Sequence, residues 1–189
     1  MKYAIAALLI ATAISSCKKP SDDDPIVPAP PANEEEVITT MILSFNNTGA
    51  GADKELRFTD ADGDGGGAPV FNVDTLDDAS VYTTSIILLN ETVSPADTIS
   101  NEVLAEGVDH QIFFAPTGVN ISYVYGDVDS NGNPIGLLTT MTTGAPSVGT
   151  LVVTLRHEPN KIAAGVSSGD ITNAGGETDI EVTFPVVIQ

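Results

Sequence analysis

The chain has 189 residues, 26 of them acidic and seven basic, for a formal charge of −19, with a single cysteine and no tryptophan. A surface this negative repels nucleic-acid phosphates and anionic head groups, leaving cations, basic partners or plain solubility as its uses. Thr, Val, Ile, Gly and Asn outweigh the helix formers, which points to an all-β domain, and one cysteine excludes an internal disulfide.

Residues 1–16 open with Lys2, continue with an apolar run from Tyr3 to Ile14, and end in Ser15 and Ser16. A membrane-spanning helix needs about 20 apolar residues, so this run is too short to cross a bilayer. Its order of basic start, apolar middle and small residues is that of a secretory signal. The string Ile14-Ser15-Ser16-Cys17 resembles the bacterial lipobox, in which the cysteine is acylated and becomes the first residue of the mature chain. Cys17 is therefore the expected lipidation site, and the expected location is the outer membrane, lipid-anchored and facing the cell exterior. Cleavage by an ordinary signal peptidase, or retention as a membrane helix, are the competing readings.

Residues 17–36 follow as an acidic, proline-rich tether containing KKPSDDDPIVPAPPANEEE. Such a segment cannot bury enough apolar surface to fold, and its prolines extend it to about 3 Å per residue. Ser21-Asp22-Asp23-Asp24 resembles the acidic export signal of surface-exposed Bacteroidota lipoproteins; a solvated linker is the plain alternative.

From residue 37 to 189 the chain reads as one β domain. Strands are expected over Val37–Phe45, Lys54–Asp60, Val70–Val73, Val81–Leu89, Gln111–Ala115, Val119–Tyr125, Leu137–Met141, Thr150–Arg156 and Thr178–Ile188. Nine short strands with frequent turn signals imply an Ig-like, Greek-key antiparallel β-sandwich. Pro185 inside the last strand places it at an edge or at a bulge. One short helix is expected within Ser94–Val108, where Ile99, Val103 and Leu104 share a helical stripe, Ser94 or Asp97 offers a cap, and Gly107 a stop.

Two acidic turns look like cation loops: Asp60, Asp62 and Asp64 before Gly65, and Asp127, Asp129 and Asn131 before Gly132. Alternate oxygen ligands followed by glycine suit calcium, so Ca2+ is the cofactor that the sequence suggests. An EF-hand needs Glu at its twelfth position, and here those positions hold Phe71 and Leu138. The plain alternative is turn chemistry, with Asn131-Gly132 as a type I′ hairpin turn. A site shared between the two loops stays open at this point.

His110 and His157 are the only histidines, each beside an acid, Asp109 and Glu158. Brought together by the fold they would hold zinc or haem iron; otherwise their roles are structural. Gly165-Val166-Ser167-Ser168-Gly169 matches the GxSxG hydrolase pattern in letters only, because both histidines precede it and no strand–turn–helix surrounds it. No catalytic residues are assigned and no enzyme is expected. The long connection from Pro159 to Glu177 exceeds the usual length of about 4–6 residues, which marks it as a candidate ligand loop. Ile162, Val166 and Ile171 are expected to pin it, and Asp170, Thr172, Asn173 and Glu177, beside His157, to offer contacts.

LRHEPNK at Leu155–Lys161, GDITNAGGETDIEVTF at Gly169–Phe184, the EEEVITT opening at Glu34 and the DADGDGG turn resemble a family of uncharacterised Bacteroidota surface lipoproteins. Members are often encoded beside TonB-dependent receptors, which implies an accessory role in nutrient or metal uptake with such a receptor as partner. Some are described as having a type 1 periplasmic binding fold, which needs two α/β lobes where this chain offers strands and one helix. The resemblance transfers no catalytic residues. The alternative function is a structural or adhesive module binding glycan or protein.

Overall fold

Alternating apolar residues sort the described residues into two sheets facing one core. The computed structural model describes residues 37–62 and 65–189. Cys17, the tether and Asp64 lie outside the described residues.

Nine strands and one helix follow in order: β1 (Thr40–Asn47), β2 (Lys54–Thr59), β3 (Val70–Val73), β4 (Val81–Leu89), α1 (Ile99–Ala105), β5 (His110–Thr117), β6 (Ile121–Tyr125), β7 (Leu138–Thr143), β8 (Ser147–His157) and β9 (Glu177–Ile188). One sheet has the order β3-β2-β1-β4-β7-β6 and the other β5-β8-β9, with all neighbouring strands antiparallel. Set aside the β2–β3 hairpin, and the orders β1-β4-β7-β6 and β5-β8-β9 reproduce the A-B-E-D and C-F-G sheets of an immunoglobulin constant-type domain. The chain is an Ig-like sandwich whose first sheet is widened by a hairpin inserted after its first strand.

The inner faces follow from period-2 alternation. Met41, Leu43 and Phe45 of β1 meet Ile112 and Phe114 of β5, Leu151, Val153 and Leu155 of β8, and Val182, Phe184, Val186 and Ile188 of β9 in one continuous core. Pro185 stands on β9, the outer strand of the smaller sheet, as its ring requires. Near the end of β9, Leu76 of the β3–β4 connection forms a parallel bridge with Ile188, joining the two sheets.

Helix α1 is shorter than expected and its stripe differs. Ile99 and Val103 are buried, but Leu104 is exposed. Thr98 is the N-cap residue, and Asp97 instead accepts a hydrogen bond from the Thr98 amide.

The immunoglobulin order has a consequence for the connections. The β4–β5, β6–β7 and β8–β9 connections leave from one end of the sandwich, where antibody variable domains carry recognition loops. The β2–β3 turn lies at this end too, but beyond the opposite edge of the larger sheet. With strands about 4.8 Å apart, four spacings separate the two acidic hairpins by about 19 Å. The fold does not bring the acidic turns together into a shared site.

Candidate functional site

Strand register decides what meets at this loop end. His110 opens β5, His157 closes β8, and the two are direct cross-strand partners. They continue the inward parity of Ile112 and Leu155, so both rings point between the sheets. His157 Nδ1 lies 2.9 Å from His110 Nε2, and the rings meet edge to face.

The third member comes from a bulge. Leu155 pairs with Ile180 and Arg156 with Thr178, so Asp179 is an extra residue inserted on β9 between two register pairs. Strict alternation from Val182 and Phe184 would turn Asp179 outward with Glu181. The bulge re-aims it, as bulges do: its side chain is only 6% exposed, and Oδ2 lies 3.9 Å from His110 Nε2. One ligand-type atom from each of His110, His157 and Asp179 falls within 4.8 Å of the others.

Hydrogen bonding sets the tautomers. His110 Nδ1 faces the Glu106 carbonyl at 3.2 Å, and a carbonyl only accepts, so that nitrogen carries the proton. In the neutral ring Nε2 is then an acceptor, and His157 Nδ1 donates to it. Burial pushes the His110 imidazole below its ordinary value, with the Glu106 carbonyl pulling the other way and His157 adding to the drop. The far nitrogen of His157, Nε2, lies 4.0 Å from the carboxylate of Glu158.

The backbone around the pair is braced. The Glu158 amide donates to the Asp109 carbonyl at 2.6 Å, tying the end of β8 to the start of β5. Gly176, at φ +69°, runs so close to β8 that a Cβ there would lie 2.1 Å from the His157 carbonyl oxygen.

The carboxylates of the second acidic loop are engaged by the chain itself. Asp127 accepts from the Gly136 and Leu138 amides, and Asp129 Oδ1 from the Asn131 and Asn133 amides. Asp129 Oδ2 pairs with Lys161 Nζ at 3.0 Å. Lys161 also donates to the Pro134 carbonyl at 3.0 Å and to the Gly107 carbonyl. The cation of this loop is therefore the chain's own ammonium group, and calcium ligation by Asp127, Asp129 and Asn131 meets that occupant. The turn is not type I′ either. The Gly132 amide donates to the Asp129 carbonyl, and only Gly132 of the central pair has positive φ, at +83°. In the first loop Asp62 accepts from the Gly67 amide, which is turn chemistry; Asp60 stands at the loop's start.

Lys161 links all three loops: Gly107 from β4–β5, Asp129 and Pro134 from β6–β7, and itself from β8–β9. Opposite charges some 32 residues apart leave no local pattern, so sequence reasoning missed this tie. Beside it, Leu104, Gly107, Val108, Val128 and Ile135 line a cleft between the first two loops.

The long loop lies on the outer face of the smaller sheet. Val166 and Ala174 are buried against Phe113, with Ile171 packed on them, while Ile162 is 87% exposed and pins nothing. Gln111 Nε2 donates to the Val166 carbonyl at 2.8 Å. The Thr172 side chain, and after it the Thr172 amide, hold the Asp170 carboxyl below the ordinary range by hydrogen bonding, and Asn173 donates to the Ala164 carbonyl. These hydrogen bonds stay within the loop. Glu177 pairs with His157 along the strands but is exposed and lies outside the histidine cluster. Residues Val166–Ser168 form a 3-10 turn between two glycines, with Ser168 bonded to the Gly165 carbonyl, which is no nucleophile elbow.

Comparison with family models, with curated proteins and with solved structures finds no match. The fold and site define an all-β protein of immunoglobulin topology with a buried histidine–carboxylate cluster at its loop end.

Proposed function

We propose that the chain is a lipid-anchored outer-membrane protein whose β-sandwich captures a ligand at its loop end, as an accessory to nutrient or metal uptake through a TonB-dependent receptor. The observation that carries the capture role is that three loops converge on Lys161 at the same end of the sandwich as the buried His110–His157 pair. A merely structural sandwich has no need to bury two imidazoles and a carboxylate together at one end, since buried polar groups cost stability unless satisfied. The anchor is supported by the lipobox ending in Cys17, and the partner by the family resemblance.

The expected result is that a radiolabelled fatty acid enters the mature chain and is lost with Cys17→Ser, and that a TonB-dependent receptor co-purifies with it. A deletion strain should grow poorly when iron or zinc is limiting. An unlabelled chain released to the medium would sink the anchor. Normal growth combined with lost attachment would favour the adhesive role.

A further inference from the structure

The geometry points to a transition-metal site formed by His110 Nε2, His157 Nδ1 and Asp179 Oδ2. Two imidazoles and one carboxylate are a ligand set for a divalent first-row ion such as zinc, with the remaining coordination position open. The inference rests on reading the loop end as the capture surface and names the class of ligand taken there.

The distances suit a bound ion. Ligands bound to zinc at about 2.0–2.1 Å and tetrahedral angles lie about 3.3 Å apart. The two nitrogens stand at 2.9 Å and the His110–Asp179 pair at 3.9 Å, on either side of that value. All three atoms lie within 4.8 Å of one another, so small side-chain rotations suffice to gather them round one ion.

The non-ligating nitrogens are already oriented. Metal-bound histidines almost always donate their other N–H to a carbonyl or carboxylate, which fixes the ring. His110 Nδ1–H does so to the Glu106 carbonyl. His157 has to exchange tautomers: its Nδ1 gives up the proton now shared with His110, and Nε2 takes one from solvent on the side of the Glu158 carboxylate. The two imidazole nitrogens are thus occupied with each other. A buried pair of imidazoles stays satisfied without an ion and gains a charge-neutralising carboxylate when one binds.

Three separate devices converge on this cluster: the β5–β8 register, the bulge at Asp179, and the Glu158–Asp109 brace. A solvated acidic patch needs none of them. The ion enters from the His157 side, since His110 is fully buried while the His157 side chain keeps 10% exposure.

The test is titration of the chelator-stripped protein with Zn2+ by calorimetry and with Co2+ by visible absorption. The expected result is one tight equivalent and a d–d band. His157→Gln and Asp179→Asn should each weaken zinc binding at least about 100-fold, and Glu158→Gln about 10-fold. Near-UV circular dichroism identifies any variant that fails to fold, and for such a variant Glu158→Gln supplies the readout, because its side chain is 74% exposed. Wild-type protein without a tight equivalent, or variants that titrate like wild type, would overturn the site. A confirmed receptor partner without zinc binding removes the metal and keeps the uptake role; zinc binding in a chain whose deletion changes nothing does the reverse.

Discussion

Lys161→Met is expected to lower the melting temperature of the β-sandwich by about 10–15 °C. Removing one partner of a buried ion pair costs about 3–5 kcal/mol, because the other charge stays behind uncompensated. For a domain of this size each kcal/mol is worth about 2–4 °C. Here the side chains of Lys161 and Asp129 are 4% and 1% exposed, so solvent offers almost no screening. The variant also orphans two carbonyls, Gly107 and Pro134, that accept from the ammonium group. Methionine keeps the length and the apolar stem, which confines the loss to charge and hydrogen bonds. A fall of less than about 3 °C in calorimetry would show that the loops hold together without the lysine.

The same variant changes the response to acid. Burial, the largest influence on Asp129, opposes its ionisation, but hydrogen bonds from Lys161 and from the Asn133 and Asn131 amides outweigh it and hold the carboxyl below 3.8. A depressed folded value means that the unfolded chain binds the proton more readily. The stabilisation is therefore complete above pH 3.8 and drains as pH falls through the lower folded value. Burial also pushes Lys161 down, with Asp129 pulling it up, so the pair is held by geometry against desolvation on both sides. In Lys161→Met the depression of Asp129 shrinks, and acid unfolding should begin at higher pH than in the wild type.

Local alternation carried the fold. Val70–Val73 and Val81–Leu89 run as expected, and the remaining strands differ by a few residues at their ends, because period-2 patterning is local and dense in this chain. The widening hairpin was visible as two strands, but its place beyond β1 was not, since pairing order is set by the whole core. The site was half legible. Two histidines with acidic neighbours stood out, yet only the β5–β8 register puts them opposite each other. Asp179 was hidden for a sharper reason. An alternation reading of Thr178–Ile188 sends it outward, and one inserted residue reverses that without any change in composition. Three polar residues ahead of Ile180 were the only trace. Lys161 was hidden because a buried lysine is rare and its oxygens come from distant loops.

Gly176→Ala should be the most damaging change among the glycines of the long loop, costing about 3 kcal/mol or more, while Gly175→Ala beside it costs about 1 kcal/mol. Both glycines adopt left-handed backbone, at φ +59° and +69°, so both substitutions meet the penalty of about 1–2 kcal/mol that an L side chain carries there. Only Gly176 meets a neighbour. A Cβ at Gly175 has nothing within 4 Å, whereas one at Gly176 would lie 2.1 Å from the His157 oxygen and 2.9 Å from the Glu158 carbonyl carbon, both backbone. No rotamer change relieves a clash with backbone, so β9 has to withdraw from the end of β8. That withdrawal moves the bulge three residues on, and with it Asp179, away from the histidines. Thermal unfolding and zinc titration of the two variants therefore diverge: Gly175→Ala keeps a near wild-type affinity, and Gly176→Ala loses stability and metal together. Equal losses in both would mean that the close approach of β9 to His157 does not position the cluster.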